Sequence, residues 1–187
     1  MKEFVKKKAV IVKDRLGLPN YMTMFYMEPG TYNPEDVPEM FKIRNKIVPA
    51  ILISQYHNTT IKSMGGDVAV SLPYQQPRHT ITLDEAAAAC ARKGEGWHLN
   101  QNGVFAAINL WCMKNGFTPR GNTNWDRSYE KAYEKGVNTY VDGSHGGGRT
   151  ATGSGPVTWN HDGSPAGIAD LCGNCWEWVS GMRIVDG

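Results

Sequence analysis

The stretch Gly167-Ile168-Ala169-Asp170-Leu171-Cys172-Gly173-Asn174-Cys175-Trp176-Glu177-Trp178 decides how the fold is read. It sets two carboxylates, Asp170 and Glu177, around permissive glycine backbone and beside two tryptophans whose large rings favour burial. Two readings stand. In one, the segment is an ordinary strand with Trp176 and Trp178 on one face and Glu177 solvated on the other. In the other it curls, and both carboxylates turn with two or three backbone carbonyls toward one hard cation; calcium takes about six to eight such oxygens. In both, Trp176 and Trp178 are expected in the core.

Cys172 and Cys175 place a C-x-x-C inside the same stretch. Half a zinc site would need a second C-x-x-C or a histidine pair, and the sequence has neither. A redox pair belongs at a helix N-terminus after a strand, and Trp-Glu-Trp does not read as such a helix. Cys90 and Cys112 fall within two helical patterns and read as buried thiols, not as a bridge.

Upstream, Pro156-Val157-Thr158-Trp159-Asn160 reads as a short strand with His161-Asp162-Gly163 as its turn. From Phe117 to Pro156 periodicity is lost, and Asn122 to Arg127 and Asp142 to Arg149 read as insertion loops. The second lacks the glycine-lysine-serine ending and the strand-to-helix setting of a phosphate-binding loop. Trp125, His145 and Arg149 are the loop side chains expected to touch a ligand. Before these loops, Thr82-Leu83-Asp84-Glu85 is a capping box, followed by the helix body Ala86 to Ala91 and the stop Arg92-Lys93-Gly94. A second helix is expected from Gly103 to Lys114. Val104, Ile108 and Trp111 share its apolar stripe, with Phe105 and Cys112 beside it, and Asn115-Gly116 ends it.

Residues 1 to 50 read as N-terminal strands and an irregular lead-in. Five lysines among the first 13 residues give a first strand with a charged edge, and Lys6 to Lys8 is too short a cluster for a polybasic membrane anchor. Pro19-Asn20 is expected to end that segment. Tyr21 to Met27 is rich in aromatic residues and in methionines that suit packing. Pro34, Pro38 and Pro49 punctuate a surface excursion, and Ile51 to Tyr56 is a strand. His57 reads as an exposed turn residue, and Asn58-Thr59-Thr60 as a glycosylation sequon by letter only. At the other end, Asp186-Gly187 after an apolar run signals a hairpin with no returning strand. The expectation is one domain over 1–187, truncated at its C-terminal end or taking its partner strand from elsewhere.

The totals agree with one loop-rich domain: 187 residues, 41% hydrophobic and 20% charged, with 21 glycines, 10 prolines and six tryptophans. A formal charge of +2 without a basic, aromatic-interleaved stripe gives no case for nucleic acid. No apolar run is long enough to insert in a membrane, and Met1 to Lys8 lacks the apolar region of a secretory signal.

The pattern Gly-x-x-Asp-Leu-x-Gly-Asn-x-Trp-Glu-Trp at Gly167 to Trp178 resembles the signature of the formylglycine-generating enzyme family, the sulfatase-modifying-factor domain. The resemblance implies an α+β, C-type-lectin-like fold with two helices, short antiparallel sheets and long irregular loops. It also implies calcium held by the side chains of Asp170 and Glu177 and the backbone carbonyls of Gly173 and Cys175. Cys175 stands where the family has a small aliphatic residue, which a carbonyl ligand tolerates. Thr82 to Cys112 is similar to the family's two-helix portion, but Asn102-Gly103-Val104-Phe105 departs from its alanine-glutamate-tryptophan run. That departure weakens a close enzymatic relationship.

The family's oxidase chemistry uses a cysteine pair and copper, and both the pair and an arginine-glycine-glycine-serine stretch lie beyond the Trp-Glu-Trp motif, where this sequence has stopped. A non-catalytic protein is therefore expected. The overall layout, with Gly116 to Asn124 and Gly148 to Trp159, is similar to phage and prophage tail proteins that carry this domain, including the variable proteins of diversity-generating retroelements. The resemblance implies a virion or bacterial cell-surface protein made in the host cytoplasm, binding a bacterial receptor, a glycan or other virion subunits. A purely structural virion subunit is the alternative.

Overall fold

The hairpin of Val5–Lys13 (β1) and Pro19–Met27 (β2) is in continuous antiparallel register, from Val5 opposite Met27 to Lys13 opposite Pro19. Pro19 thus opens the second strand rather than ending the first segment. The first position of a strand is one where a missing N–H is tolerated, and the turn before it is tied by Asp14, whose Oδ1 accepts from the N–H groups of Leu16 and Leu18. The computed structural model describes residues 5–43, 46–139 and 148–182. His145 and the closing Asp186-Gly187 signal lie outside the described residues.

Two short strands, Lys42–Ile43 (β3) and Lys46–Ile47 (β4), pair with each other, and Ala50–Ser54 (β5) adds to the free side of β2 to give the order β1-β2-β5. Thr59–Ser63 (β6) and Gly66–Val70 (β7) form a further antiparallel hairpin. As the middle strand, β2 is buried on both faces, Phe25 and Met27 on one and Met22 on the other. Phe25 and Met27 meet Val37, Met40, Phe41, Ile108, Cys112 and Ile168 in the main core. The proline-punctuated segment is therefore more than a surface excursion. Its tight 3-10 turns at Pro34–Asp36 and Glu39–Phe41 fold Met40 and Phe41 onto the sheet, and a fully buried phenylalanine contributes about 1.5–3 kcal/mol.

Helix α1, Leu83–Ala91, starts at the expected capping box: Glu85 N–H donates to Thr82 Oγ1 at 3.3 Å and Thr82 N–H donates to Glu85 Oε2 at 2.9 Å. It packs on β7. Helix α2, Asn102–Lys114, turns Ile108 and Cys112 inward with Val104 and Trp111 at the core margin, as the stripe predicts. Its cap residue, Gln101, makes no side-chain cap bond. The Ser180 carbonyl instead accepts from Asn102 N–H at 2.8 Å, which satisfies one of the helix's open donors. That bond draws the chain beyond Trp178 to the start of α2.

Val157–Trp159 is one 3-10 turn, not the expected strand. Trp159 is wholly buried and its Nε1 donates to Glu134 Oε2 at 3.1 Å, while its ring lies against Gly155, where a Cβ would collide with it. These tertiary contacts outweigh a local strand preference. All four cysteines are free thiols; Cys112 is buried, as expected, and Cys90 is only partly so. Two helices with short antiparallel sheets make the class α+β. Among the described residues, no helix is long and apolar enough to cross a membrane.

Candidate functional site

Strand β5 runs out at Ser54, and the next three residues carry its hydrogen bonding into the tryptophan-rich stretch. Ala169 N–H donates to the Gln55 carbonyl at 2.8 Å, and Gln55 Nε2 donates to the Pro165 carbonyl at 3.0 Å. Just beyond, Asp170 is buried at φ +56°, and its Oδ2 accepts from Thr152 Oγ1 at 2.8 Å and Gly153 N–H at 2.9 Å. Thr152 Oγ1 in turn accepts from the His57 N–H at 3.0 Å. Asn174, at φ +63°, donates its N–H to the Asn122 carbonyl and clasps Thr150 from both sides, with Oδ1 accepting from N–H at 2.9 Å and Nδ2 donating to the carbonyl at 3.0 Å.

This backbone is not a strand. Positive φ at Asp170, Gly173 and Asn174 curls it, and side-chain hydrogen bonds replace a ladder. The fit is close: a Cβ on Gly121 would run into the Cys172 carbonyl, and one on Gly173 into the Asn122 carbonyl. A buried donor left unsatisfied costs about 1–3 kcal/mol, so Asp170, which holds two of them, is a structural pin.

His57 is not an exposed turn residue but 8% exposed, held inward by the Gln55 and Thr152 bonds on either side of it. Its Nε2 stands 2.5 Å from Glu177 Oε1, an ionic contact without the alignment of a good hydrogen bond. Burial opposes a charge on the ring, but the Glu177 carboxylate, the Cys175 side chain and Asp170 together outweigh it and hold the His57 pKa well above the ordinary imidazole value. The result is a buried imidazolium paired with Glu177.

Trp176, Glu177 and Trp178 are all exposed, with Glu177 turning one carboxylate oxygen back to His57. Trp176 is fully exposed, at 104%, and Trp178 is 49% exposed with its Nε1 donating to the Ile81 carbonyl at 2.9 Å. The expectation that both lie in the core is thus overturned.

The four residues expected around calcium have these places: Asp170 on Thr152 and Gly153, Gly173 in the curl against Asn122, and Cys175 and Glu177 beside His57. Among the described residues, no three His, Cys, Asp or Glu side chains gather as metal ligands. A calcium ion using Glu177 Oε1 would compete with the His57 ring for that oxygen.

On the solvent side, Trp176 and Trp178 meet Trp125 around a groove of about 670 Å³ that Arg78, His79 and Arg149 also line. Trp125 (φ +52°) and Asp126 (φ +75°) form a tight reversal between Asn124 and Arg127, fixed by Asp126 N–H donating to Asn122 Oδ1 at 3.0 Å. A bulky residue in that conformation costs on the order of 1–3 kcal/mol, and it leaves Trp125 47% exposed. The His79 pKa is lowered, first by burial and then by the guanidiniums of Arg149 and Arg78. Of the loop residues expected to meet a ligand, Trp125 and Arg149 share this groove. The sequence reading puts His57 on the surface and passes over Arg78: the first follows a strand end with no periodic signal, and the second is one basic residue in a proline-flanked link.

A second, more apolar hollow of about 540 Å³ between β5, α1 and α2 shares Trp176, Glu177 and Trp178 with the groove. No protein-family model and no curated protein sequence matches this chain.

Proposed function

We propose that the chain is a non-catalytic ligand-binding module on a C-type-lectin-like scaffold, serving as a receptor-binding protein of a phage or prophage tail, in the virion or at a bacterial surface. The observation that carries this reading is the gathering of Trp125, Trp176 and Trp178, all exposed, around one groove. Isolated exposed apolar residues need no explanation, but a cluster of indoles among polar groups is the composition of a recognition surface. The frame beneath it is pinned by Asp170 and Asn174, which suits presentation of a fixed surface by otherwise irregular chain. Cysteine chemistry has less support: burial raises the Cys172 pKa, with Glu130 adding to the rise, the reverse of the depressed value that activates a thiol.

The test is binding of the labelled protein to a panel of bacterial envelopes, wild type against the double variant Trp125→Ala/Trp176→Ala, with circular dichroism as the folding control. Wild type binds at least one envelope, and the folded double variant loses about tenfold or more in affinity, the scale of hot-spot truncation. A double variant that binds as well as wild type contradicts the reading. A wild type that binds none of them but self-associates points to a structural virion subunit.

A further inference from the structure

The groove around Trp125 holds more information than the presence of a binding surface. Its apolar lining is mainly three indoles, with Ile81 beside them, and indoles offer planar faces that suit the C–H face of a sugar ring. Between them stand Thr80, Thr123 and Asn124, groups with the hydroxyl and amide donors and acceptors that hydroxyl-rich ligands require. The volume, about 670 Å³, falls in the ~300–1,000 Å³ range of small-ligand sites.

Among the described residues, the lining carries two guanidiniums, Arg78 and Arg149, and one carboxylate, Glu177. Its carboxylate, Glu177, is balanced from within by His57. Arg78 and Arg149 bear on the same neighbour, His79, so both guanidiniums act on one part of the wall. Among the described residues, Asp67 pairs with Arg78 only at 4.0 Å and already holds Lys62 at 2.6 Å. A guanidinium matches a carboxylate in two parallel hydrogen bonds, a geometry that an ammonium lacks. The platform is also set before any ligand arrives, because Asn122 holds the Trp125 turn through Asp126 N–H and the Cys175 side of the groove through Asn174.

We infer that this groove binds a carboxylated saccharide, with the tryptophans stacking on sugar rings and Arg78 taking the carboxylate, an inference that rests on the ligand-binding reading. The shared chemistry is a sugar acid, whether a uronic acid of a capsule or a sialic acid of a surface glycan. Arg78 suits the test: its backbone N–H donates to the Asn58 carbonyl at 2.8 Å, which a side-chain change leaves in place, and its side chain is exposed.

The experiment titrates the full chain by calorimetry with four probes: a uronic-acid oligosaccharide, a sialylated oligosaccharide, and the neutral counterpart of each. At least one acid binds about tenfold or more tightly than its neutral counterpart, and added salt weakens it. Arg78→Gln collapses that preference to about threefold or less, whereas Trp125→Ala weakens acid and neutral sugar alike. Equal affinity for acid and neutral forms, or no saccharide binding at all, overturns the inference. Envelope binding run in parallel separates the two levels. If envelopes bind through Trp125 but neither sugar acid competes, or an acidic peptide competes in their place, the saccharide is wrong and the receptor-binding reading stands. If envelopes do not bind either, both fall.

Discussion

The sheet with α2 and the described, irregular stretches between Phe117 and Met182 are stabilised in different ways. In the first, Phe25, Met27, Phe41, Ile108 and Cys112 fill a core by shape and apolar area. In the second, a few polar side chains do the work of a ladder: Asp170 on Thr152 and Gly153, Asn174 across Thr150, and Glu134 between the Arg120 guanidinium and Trp159 Nε1. An apolar core tolerates exchanges of similar volume, whereas a buried polar pin fails when one partner goes, because the other is left unsatisfied. The difference explains how a chain with so little regular structure among the described residues of its last third can hold three exposed tryptophans around one groove.

The contrast can be broken from either side. Phe25→Ala is expected to cost about 3–5 kcal/mol of global stability by denaturant unfolding. Asp170→Ala removes no core volume of that kind, yet it strands the Thr152 hydroxyl and the Gly153 N–H and is expected to cost about 2–4 kcal/mol. Its mark is faster amide exchange at Gly153 and Thr150 while β2 stays protected; equal loss of protection in both regions would mean that they are not stabilised separately.

Where the two regions meet, His161 is buried between Phe25 and Trp111, with Nδ1 accepting from Ile168 N–H at 2.8 Å. Burial, helped by the Lys7 charge, lowers its pKa from 6.5 to about 3. The unfolded chain therefore binds the proton more readily, so stability is intact above the ordinary imidazole value and is lost as pH falls toward 3. The expected loss between pH ~6.5 and ~4.5 is about 2–3 kcal/mol. His161→Asn, which keeps an acceptor for Ile168, flattens that limb of the pH profile. An unchanged slope in the variant would remove His161 as its source.

A smaller effect concerns calcium, which the resemblance places on Asp170 and Glu177. Because the His57 imidazolium and a cation would compete for Glu177, calcium is expected to raise the unfolding midpoint more in His57→Gln than in wild type. The same rise in both proteins, or a larger one in wild type, would mean that ion and imidazolium do not share that carboxylate.

Where structure depends on neighbours in sequence, it could be read from sequence. The Thr82–Glu85 box, both helices and the β1 and β5 strands follow from caps and periodicity. Asp170 stands out in the sequence as a calcium ligand that the resemblance implies, whereas its bonds to Thr152 and Gly153 depend on a loop 17 and more residues away. The direction of Glu177 was not legible, because it answers to His57, far away in the chain, and the exposure of Trp176 and Trp178 was missed as well. Val157–Trp159 was misread for the same reason: the indole of Trp159 is captured by Glu134 and Gly155, neither of which marks a strand or a turn at that point. Pro19 misled because proline ends many segments, yet here it occupies the one strand position that suits it.

The most direct test is the unfolding free energy of Trp176→Ala. If Trp176 stands in solvent while Glu177 turns back to His57, the variant stays within about 0.5 kcal/mol of wild type, as a surface substitution does. A loss of about 3–5 kcal/mol, the cost of removing a buried tryptophan, would put Trp176 back in the core and contradict the account.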